Sequence, residues 1–145
     1  MDWKEISEEE AKNHPDYGFG GGLYAVYAIC VVWSLHSLYI VFLDSSYALT
    51  QSYGYENMTM ADFTCFIQFC LMLPFMYLAP KMHRVMPDVA VSLFSVNWAI
   101  WFTFGMISAK AFPISVVVTA VTLLMVVYIA RSTRVNVTYR HRVRA

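Results

Sequence analysis

The chain has 145 residues, of which 59% are apolar and only 14% are charged, and its formal net charge is zero. Soluble domains usually carry about 25% charged residues, so this composition excludes an ordinary soluble domain, and the apolar content excludes a disordered chain. The absence of a basic excess gives no indication of nucleic-acid binding. The composition therefore predicts a small membrane protein with several spans.

The N-terminal segment, residues 1–19, is acidic and predicts either a short cytoplasmic helix or a solvated tail. Two residue pairs in it have the spacing of a helix capping box: Asp2 with Glu5, and Ser7 with Glu10. If the helix forms, Trp3 and Ile6 fall on one face, where they can rest on the lipid interface.

Four apolar runs without Lys, Arg, Asp or Glu follow this segment, at residues 20–43, 63–79, 89–108 and 112–130. A bilayer core of about 30 Å requires about 20 helical residues, so each run is long enough, the second only just. The runs do not alternate polar and apolar residues, which excludes the strands of a membrane barrel. The sequence therefore predicts an all-α protein whose four transmembrane helices form an up-down bundle in residues 20–130.

Prolines and polar segments mark the ends of these spans. Pro87 and Pro113 stand where the third and fourth helices are expected to begin, which is where proline is best tolerated. Pro74 lies inside the second run and predicts a kink there. Residues 44–62 are polar and are expected to form the loop between the first two spans.

The basic residues predict how the four spans are oriented. With four spans, both termini lie on one side, and nine basic residues lie there: Lys4, Lys12, Lys81, Arg84, Arg131, Arg134, Arg140, Arg142 and Arg144. The opposite side carries Lys110 alone. Because Lys and Arg accumulate in cytoplasmic loops, we expect both termini in the cytoplasm. The first run follows an acidic segment, so we expect it to be retained as a span rather than cleaved as a signal peptide.

Three polar residues inside the spans are the candidates for a functional site: His36, Gln68 and Asn97. At about 1.5 Å per residue, His36 and Gln68 lie roughly 10 Å and 8 Å from the outer ends of their helices, so they can meet. Asn97 lies near mid-membrane. The functional interpretation is an outward-facing polar pocket for a ligand or a proton, and the structural one is hydrogen bonding between helices, worth about 1 kcal/mol per pair.

Small residues predict where the helices pack. Gly18 and Gly22 match the G-x-x-x-G pattern that allows close approach of two helices, although at the membrane edge a glycine hinge between the N-terminal segment and the helix is the alternative. The third span carries small residues at helical spacing, namely Ser92, Ser95, Ala99 and Thr103, and the fourth carries Ser115, Thr119 and Thr122. We expect these faces to pack together or against a partner.

No pattern in the sequence predicts a cofactor, a metal site or a catalytic group. The histidines other than His36 lie outside the spans, so one chain cannot supply a bis-histidine haem site, although a dimer could. The cysteines Cys30, Cys65 and Cys70 lie in apolar runs without a C-x-x-C motif, which is typical of small packing residues. We therefore expect a protein that is not an enzyme and holds neither cofactor nor metal.

The C-terminal segment, residues 131–145, contains five arginines, which predict a cytoplasmic topology anchor that contacts anionic lipid head groups. The alternative is a docking site for a cytoplasmic or membrane partner. It also resembles the closing signature of a family of small bacterial inner-membrane proteins with four predicted spans, classed as a domain of unknown function. The matching residues are Tyr128, Ser132, Arg134, Val135, Thr138 and Tyr139, the last where the family usually has Phe.

Two further places are similar to this family. Gly20, Gly21 and Leu23 resemble the glycine pair that opens the family's first span, although Gly22 stands where a Trp is expected. A basic turn ending at Pro87 resembles the family's second loop. The resemblance implies a bacterial inner membrane and four helices, and it brings no activity. Because any Lys or Arg would serve as a topology anchor, we hypothesise that Ser132, Arg134 and Thr138 cap the fourth helix and fix the tail to the inner loop or the N-terminal segment.

These observations favour an accessory, assembly or stabilising subunit of a membrane protein complex, or a homo-oligomer, in the bacterial cytoplasmic membrane. Its expected partners are the lipid bilayer, other membrane subunits or further copies of itself, and no nucleic acid. The alternative is a small oligomeric transporter or channel built around His36, Gln68 and Asn97.

Overall fold

A computed structural model describes residues 3–42 and 58–144 of the chain. Its elements are β1 (Trp3–Glu5), α1 (Glu8–Lys12), α2 (Gly22–Phe42), α3 (Met58–Leu78), α4 (Met86–Ile107), α5 (Phe112–Arg131), α6 (Thr133–Arg140) and β2 (Arg142–Arg144). Within the described residues, the four helices α2 to α5 are long and apolar enough to cross a membrane. The predicted four-helix membrane fold is therefore confirmed.

The helices begin where the local sequence favours a helix start. Pro87 and Pro113 occupy the first turns of α4 and α5, where the missing N–H costs no helical hydrogen bond. Helix α3 begins at Met58, five residues before the predicted span, so the expected loop at residues 44–62 is wrong at its end. An apolar run marks only the part of a helix that lies in lipid, and a helix can extend beyond it. Residues 44–57 of that loop lie outside the described part.

Each of the four spans packs mainly against the spans next to it in the chain. The closest approach joins α4 to α5, because a Cβ placed on Gly105 would lie only 2.6 Å from the Cβ of Ser115. We call the end of the bundle with the two chain termini the tail end, and the opposite end the far end.

The buried side chains form two layers. The layer near the tail end includes Phe75 of α3, Phe94 of α4 and Ile129 of α5, together with Tyr139 of α6. The layer near the far end includes Trp101 and Phe104 of α4. Because Tyr139 belongs to the main core, the C-terminal segment is an integral part of the bundle.

The two ends of the chain pair with each other across the tail end. Strands β1 and β2 form an antiparallel ribbon in which Lys4 lies opposite Val143. The predicted N-terminal helix is therefore wrong at Trp3–Glu5, where pairing with β2 supplies the backbone hydrogen bonds. It is right at α1, where Ser7 and Glu10 form a complete capping box.

Candidate functional site

The buried amide of Gln68 connects three of the spans near the far end. Its Nε2 donates to Ser37 Oγ of α2 at 3.3 Å, and its Oε1 accepts from the indole N–H of Trp101 in α4. Gln68 is only 4% exposed, so these bonds satisfy a polar group that would otherwise be costly in a membrane core. The bonds favour a structural role for Gln68.

Asn97 lies in a separate contact, between α4 and α5. Its Nδ2 donates to Thr122 Oγ1 at 3.4 Å, while its Oδ1 has no hydrogen-bond partner among the described residues. No hydrogen bond within the described part joins Asn97 to Gln68 or to His36. The structure thus places Asn97 apart from the other two candidates.

His36 is exposed on the outside of α2 and makes no hydrogen bond to another described residue. It lies on the wall of a groove of about 450 Å³ between the first and fourth spans in the far half of the bundle. We call this the seam groove. Val32 and His36 form one wall, Ile114 and Val117 form the other, and Gln68 and Trp101 lie between them. His36 and Gln68 therefore share one groove, as their helical depths suggested.

The two stripes of small residues point in different directions. Ser115 and Thr122 of α5 are buried against α4, but the α4 stripe is exposed along its whole length, at Ser92, Ser95, Ala99 and Thr103. The first alternative, that the two stripes pack on each other, is therefore wrong, and packing of the α4 stripe against a partner stays a prediction. The α4 face that meets α5 carries Asn97 and Gly105 instead.

The exposed hydroxyl groups of the α4 stripe are satisfied within their own helix. Ser95 Oγ donates to the Val91 carbonyl at 2.7 Å, and Thr103 Oγ1 donates to the Ala99 carbonyl at 2.8 Å. Such local bonds let a hydroxyl face lipid without a missing partner. Thr119 of α5 differs, because its Oγ1 is buried without a partner among the described residues.

The pair Gly18 and Gly22 does not form a helix-packing motif of the expected kind. Gly18 has a φ of +105° and lies in the turn before α2, and only Gly22 belongs to the helix. A Cβ on Gly22 would lie 2.8 Å from the ring of Tyr128 in α5. The glycine therefore permits a contact within one chain, between the first and fourth spans at the tail end.

The residues that carry the family resemblance come together at this end. Tyr128 packs on Gly22, and the guanidinium of Arg134 lies against Gly20 and Gly21, where added Cβ atoms would be 3.5 and 3.2 Å away. The glycine run at the start of α2 and the C-terminal signature thus form one contact surface. We call this the tail junction.

Ser132 and Asn136 shape the chain at the tail junction. Ser132 ends α5 and starts α6, and its Oγ accepts from the Val135 N–H at 3.5 Å. The side chain of Asn136 donates to the carbonyls of Ala130 and Ser132 at 3.4 and 2.9 Å. Asn136 is not one of the signature residues, but it satisfies the Ala130 carbonyl at the end of α5. It also adds a second bond to the Ser132 carbonyl, which already accepts from the Asn136 backbone N–H at 3.0 Å.

Arg134 and Thr138 attach the N-terminal segment to α6. Arg134 forms an ion pair with Asp16 at 3.3 Å. Thr138 Oγ1 accepts from the Gly18 N–H at 2.9 Å and lies 3.5 Å from the Gly18 carbonyl, to which it donates. These contacts bring the basic end of the chain onto its acidic end.

Tyr139 has the largest fully buried side chain of the C-terminal segment. Its hydroxyl donates to the Ala79 carbonyl, just beyond the end of α3, at 2.7 Å. The side chain is fully buried, and this burial raises the pKa of its phenol above the ordinary value. Its neighbour Val135 is also buried, so the signature residues serve packing as well as polar contacts.

No family model, curated protein or solved structure matches this chain.

The described residues include no group of three or more His, Cys, Asp or Glu side chains arranged to hold a metal ion. The three cysteines are unpaired: Cys30 and Cys65 are buried, while Cys70 is exposed on the outside of α3. The described residues thus contain two candidate sites, the seam groove and the tail junction.

Proposed function

We propose that this protein is an accessory subunit of a membrane protein complex and that a transmembrane helix of another subunit occupies the seam groove. The single observation that carries the proposal is the exposure of His36 inside a span. Ionisable side chains within a membrane normally face a protein interior or pair with another polar group. A neighbouring helix with a polar side chain at this depth would cover His36 and supply that group.

The shape and lining of the groove support this occupant. Apart from His36 and Gln68, its walls are mainly apolar, as at Val32, Ile114 and Val117. A second copy related by a two-fold axis would place the same concave surface against itself and leave the groove unfilled. A convex helix from a different chain fits the groove better.

The proposed setting is the cytoplasmic membrane of a bacterium, with both termini in the cytoplasm. The distribution of basic residues supports this orientation, because nine lie at or near the tail end and only Lys110 lies at the far end. The resemblance of the signature residues supports the bacterial inner membrane.

Site-specific photocrosslinking in native membranes tests the occupant of the seam groove. A benzoylphenylalanine at Val117, in the groove, is expected to form an adduct that maps to a transmembrane segment of another protein. The same probe at Leu124 is the control, because Leu124 lies two turns further along α5 and does not line the groove. An adduct of twice the chain's mass, or one of lipid mass, would overturn the proposal.

His36 provides a second arm of this experiment. Replacing His36 with Leu is expected to lower the adduct yield at Val117 about five-fold, which corresponds to one interhelical hydrogen bond. A matched substitution at the exposed neighbour, Leu35→Ala, should leave the yield unchanged. Equal yields from the His36→Leu variant and the parent would remove the basis of the proposal.

The second candidate function is a small oligomeric transporter or channel, and the observation in its favour is that His36 and Gln68 line one groove. A transport site at these residues predicts that His36→Leu abolishes solute flux in vesicles. Asn97→Leu tests whether Asn97 belongs to the transport site or only holds helices together. Because Asn97 lies outside the groove, this substitution should lower the stability of the protein and leave the flux unchanged. Flux that is unchanged in the His36→Leu variant would exclude this candidate.

A further inference from the structure

Three arginines from separate segments meet at the tail end of the bundle. Arg84 lies in the turn before α4, Arg140 ends α6, and Arg142 begins β2. Together with Val85 and Asp88 they line a polar cavity of about 350 Å³. The folding of the tail onto the bundle is what brings Arg140 and Arg142 next to Arg84.

The positive charge in this cavity is only partly neutralised. Asp88 forms an ion pair with Arg140, and Glu5 forms one with Arg142 at 3.1 Å. Among the described residues, Arg84 takes part in none of the ion pairs or side-chain hydrogen bonds of this end of the bundle. Each guanidinium carries five N–H donors, so donors remain available on all three side chains.

The surroundings of the cavity place it where a span enters the lipid head groups. Asp88 is in the first turn of the spanning helix α4. Val85, which lines the cavity, and Met82, two residues before Arg84, are apolar residues with 46% and 41% of their surface exposed. Arginines combined with exposed apolar side chains suit a ligand that is anionic at one end and apolar at the other.

We propose that Arg84, Arg140 and Arg142 form a binding site for the phosphate group of an anionic phospholipid. Guanidinium groups bind phosphate oxygens through paired, charge-assisted hydrogen bonds, and Val85 and Met82 contact the start of the acyl chains. A soluble phosphate compound would gain nothing from those apolar side chains. The site is separate from the seam groove, so it does not depend on the proposed partner helix.

Titration of the purified full-length protein with phosphatidylglycerol in phosphatidylcholine-containing micelles tests the site. Thermal unfolding gives the mole fraction of phosphatidylglycerol at half-maximal stabilisation. Arg84→Gln and Arg142→Gln are each expected to raise this fraction about five-fold, because one basic residue near a membrane surface contributes about that factor. Arg131→Gln is the matched control, since Arg131 is exposed at the same end but does not line the cavity.

Two further variants keep the result independent of folding defects. Arg84→Lys retains the charge and should restore most of the affinity. Asp88→Asn removes the acid that competes for Arg140 and should lower the half-maximal fraction, which no unfolded variant could do. A shift for Arg131→Gln as large as that for Arg84→Gln would overturn the proposal by showing diffuse attraction. Equal stabilisation by inorganic phosphate, lost in Arg84→Gln, would assign the site to soluble phosphate instead.

Discussion

At the scale of single residues, the close contacts of the bundle depend on glycine. Gly105 and Ser115 bring α4 and α5 together at the far end, and Gly22 and Tyr128 bring α2 and α5 together at the tail end. Without a hydrophobic drive between helices in lipid, stability depends on this kind of close packing and on interhelical hydrogen bonds.

Gly105→Ala is expected to destabilise the protein by about 1–3 kcal/mol, which is typical of overpacking a close contact. The new Cβ would lie 2.6 Å from the Cβ of Ser115, which is fixed to the backbone and cannot rotate away. The free energy of unfolding, measured by denaturant titration in detergent, reports the loss. The Gly105→Ala, Ser115→Gly double variant should recover most of it, and failure to recover would show that the contact is not the cause.

The burial of Tyr139 makes the protein less stable at alkaline pH. Because the raised pKa means that the folded state favours the neutral phenol, this contribution is complete below the ordinary tyrosine pKa of about 10 and is lost as pH rises above it. At pH 8, Tyr139→Phe should lower the free energy of unfolding by about 1 kcal/mol, because it removes the hydrogen bond to the Ala79 carbonyl. Phenylalanine has no phenol to ionise, so the variant should not lose further stability at alkaline pH. The difference in thermal unfolding midpoint should therefore shrink between pH 8 and pH 11.

The control for this pH effect is Tyr39→Phe, which removes an exposed phenol. Its unfolding midpoint should follow that of the parent across the same pH range. A parent-to-Tyr139→Phe difference that stays constant up to pH 11 would contradict the role assigned to Tyr139.

At the scale of whole elements, the spans could be predicted from the sequence and the ribbon could not. The bilayer thickness fixes the length of each apolar run, so α5 extends over Phe112–Arg131 against the predicted residues 112–130. Strands β1 and β2 have three residues each and lie at opposite ends of the chain, so neither run is long enough to show a strand period. Each segment is a strand because it pairs with the other one in the folded protein.

The candidate site could also be predicted only in part from the sequence. The polar residues within the spans can be recognised in the sequence, but their hydrogen-bond partners depend on how each helix is rotated about its axis. Because all faces of these helices are apolar, the sequence does not predict that rotation. Gln68 therefore pairs with Ser37 and Trp101, and Asn97 pairs with Thr122. Rotation also explains why the small-residue stripe of α4 faces outward.

A disulfide between the two strands tests the ribbon as an element. In a background without Cys30, Cys65 and Cys70, the Lys4→Cys, Val143→Cys pair should form an intramolecular disulfide on mild oxidation, since these positions are direct partners. The control pair Lys4→Cys, Arg142→Cys is shifted by one residue, which places the two thiols on opposite faces. Equal oxidation of both pairs would show that the two ends are not held in this register.

At the scale of the whole molecule, the zero net charge is a cancellation between opposite ends. Residues 1–19 carry six acids and two lysines, a charge of −4, and residues 131–145 carry five arginines, +5. The pairs Arg134–Asp16 and Arg142–Glu5 join these ends directly. Each pair is partly exposed and contributes little by itself, so the burial of Tyr139 and the Thr138–Gly18 bonds hold the ends together.

This arrangement concentrates basic residues at the tail end, and it predicts the orientation of the whole protein. In cells, Lys110→Cys at the far end should react with a membrane-impermeant maleimide added outside, in a background without the native cysteines. Arg84→Cys, at the tail end, should react only after the membrane is permeabilised. Both positions are exposed in the described structure, so differences in reaction report sidedness rather than burial.

The same labelling can show what determines the orientation. Basic residues at the tail end are expected to keep that end in the cytoplasm. Lys110→Cys does not weaken this charge difference between the two ends, because it removes the only basic residue of the far end. Adding four lysines to the 108–111 turn should instead produce a population in which Arg84→Cys reacts from outside. Exclusive outside labelling of Arg84→Cys without the added lysines would place the termini outside and reverse the assignment. It would also move the proposed phosphate site to the opposite membrane surface, so this experiment decides which leaflet's lipids that site can bind.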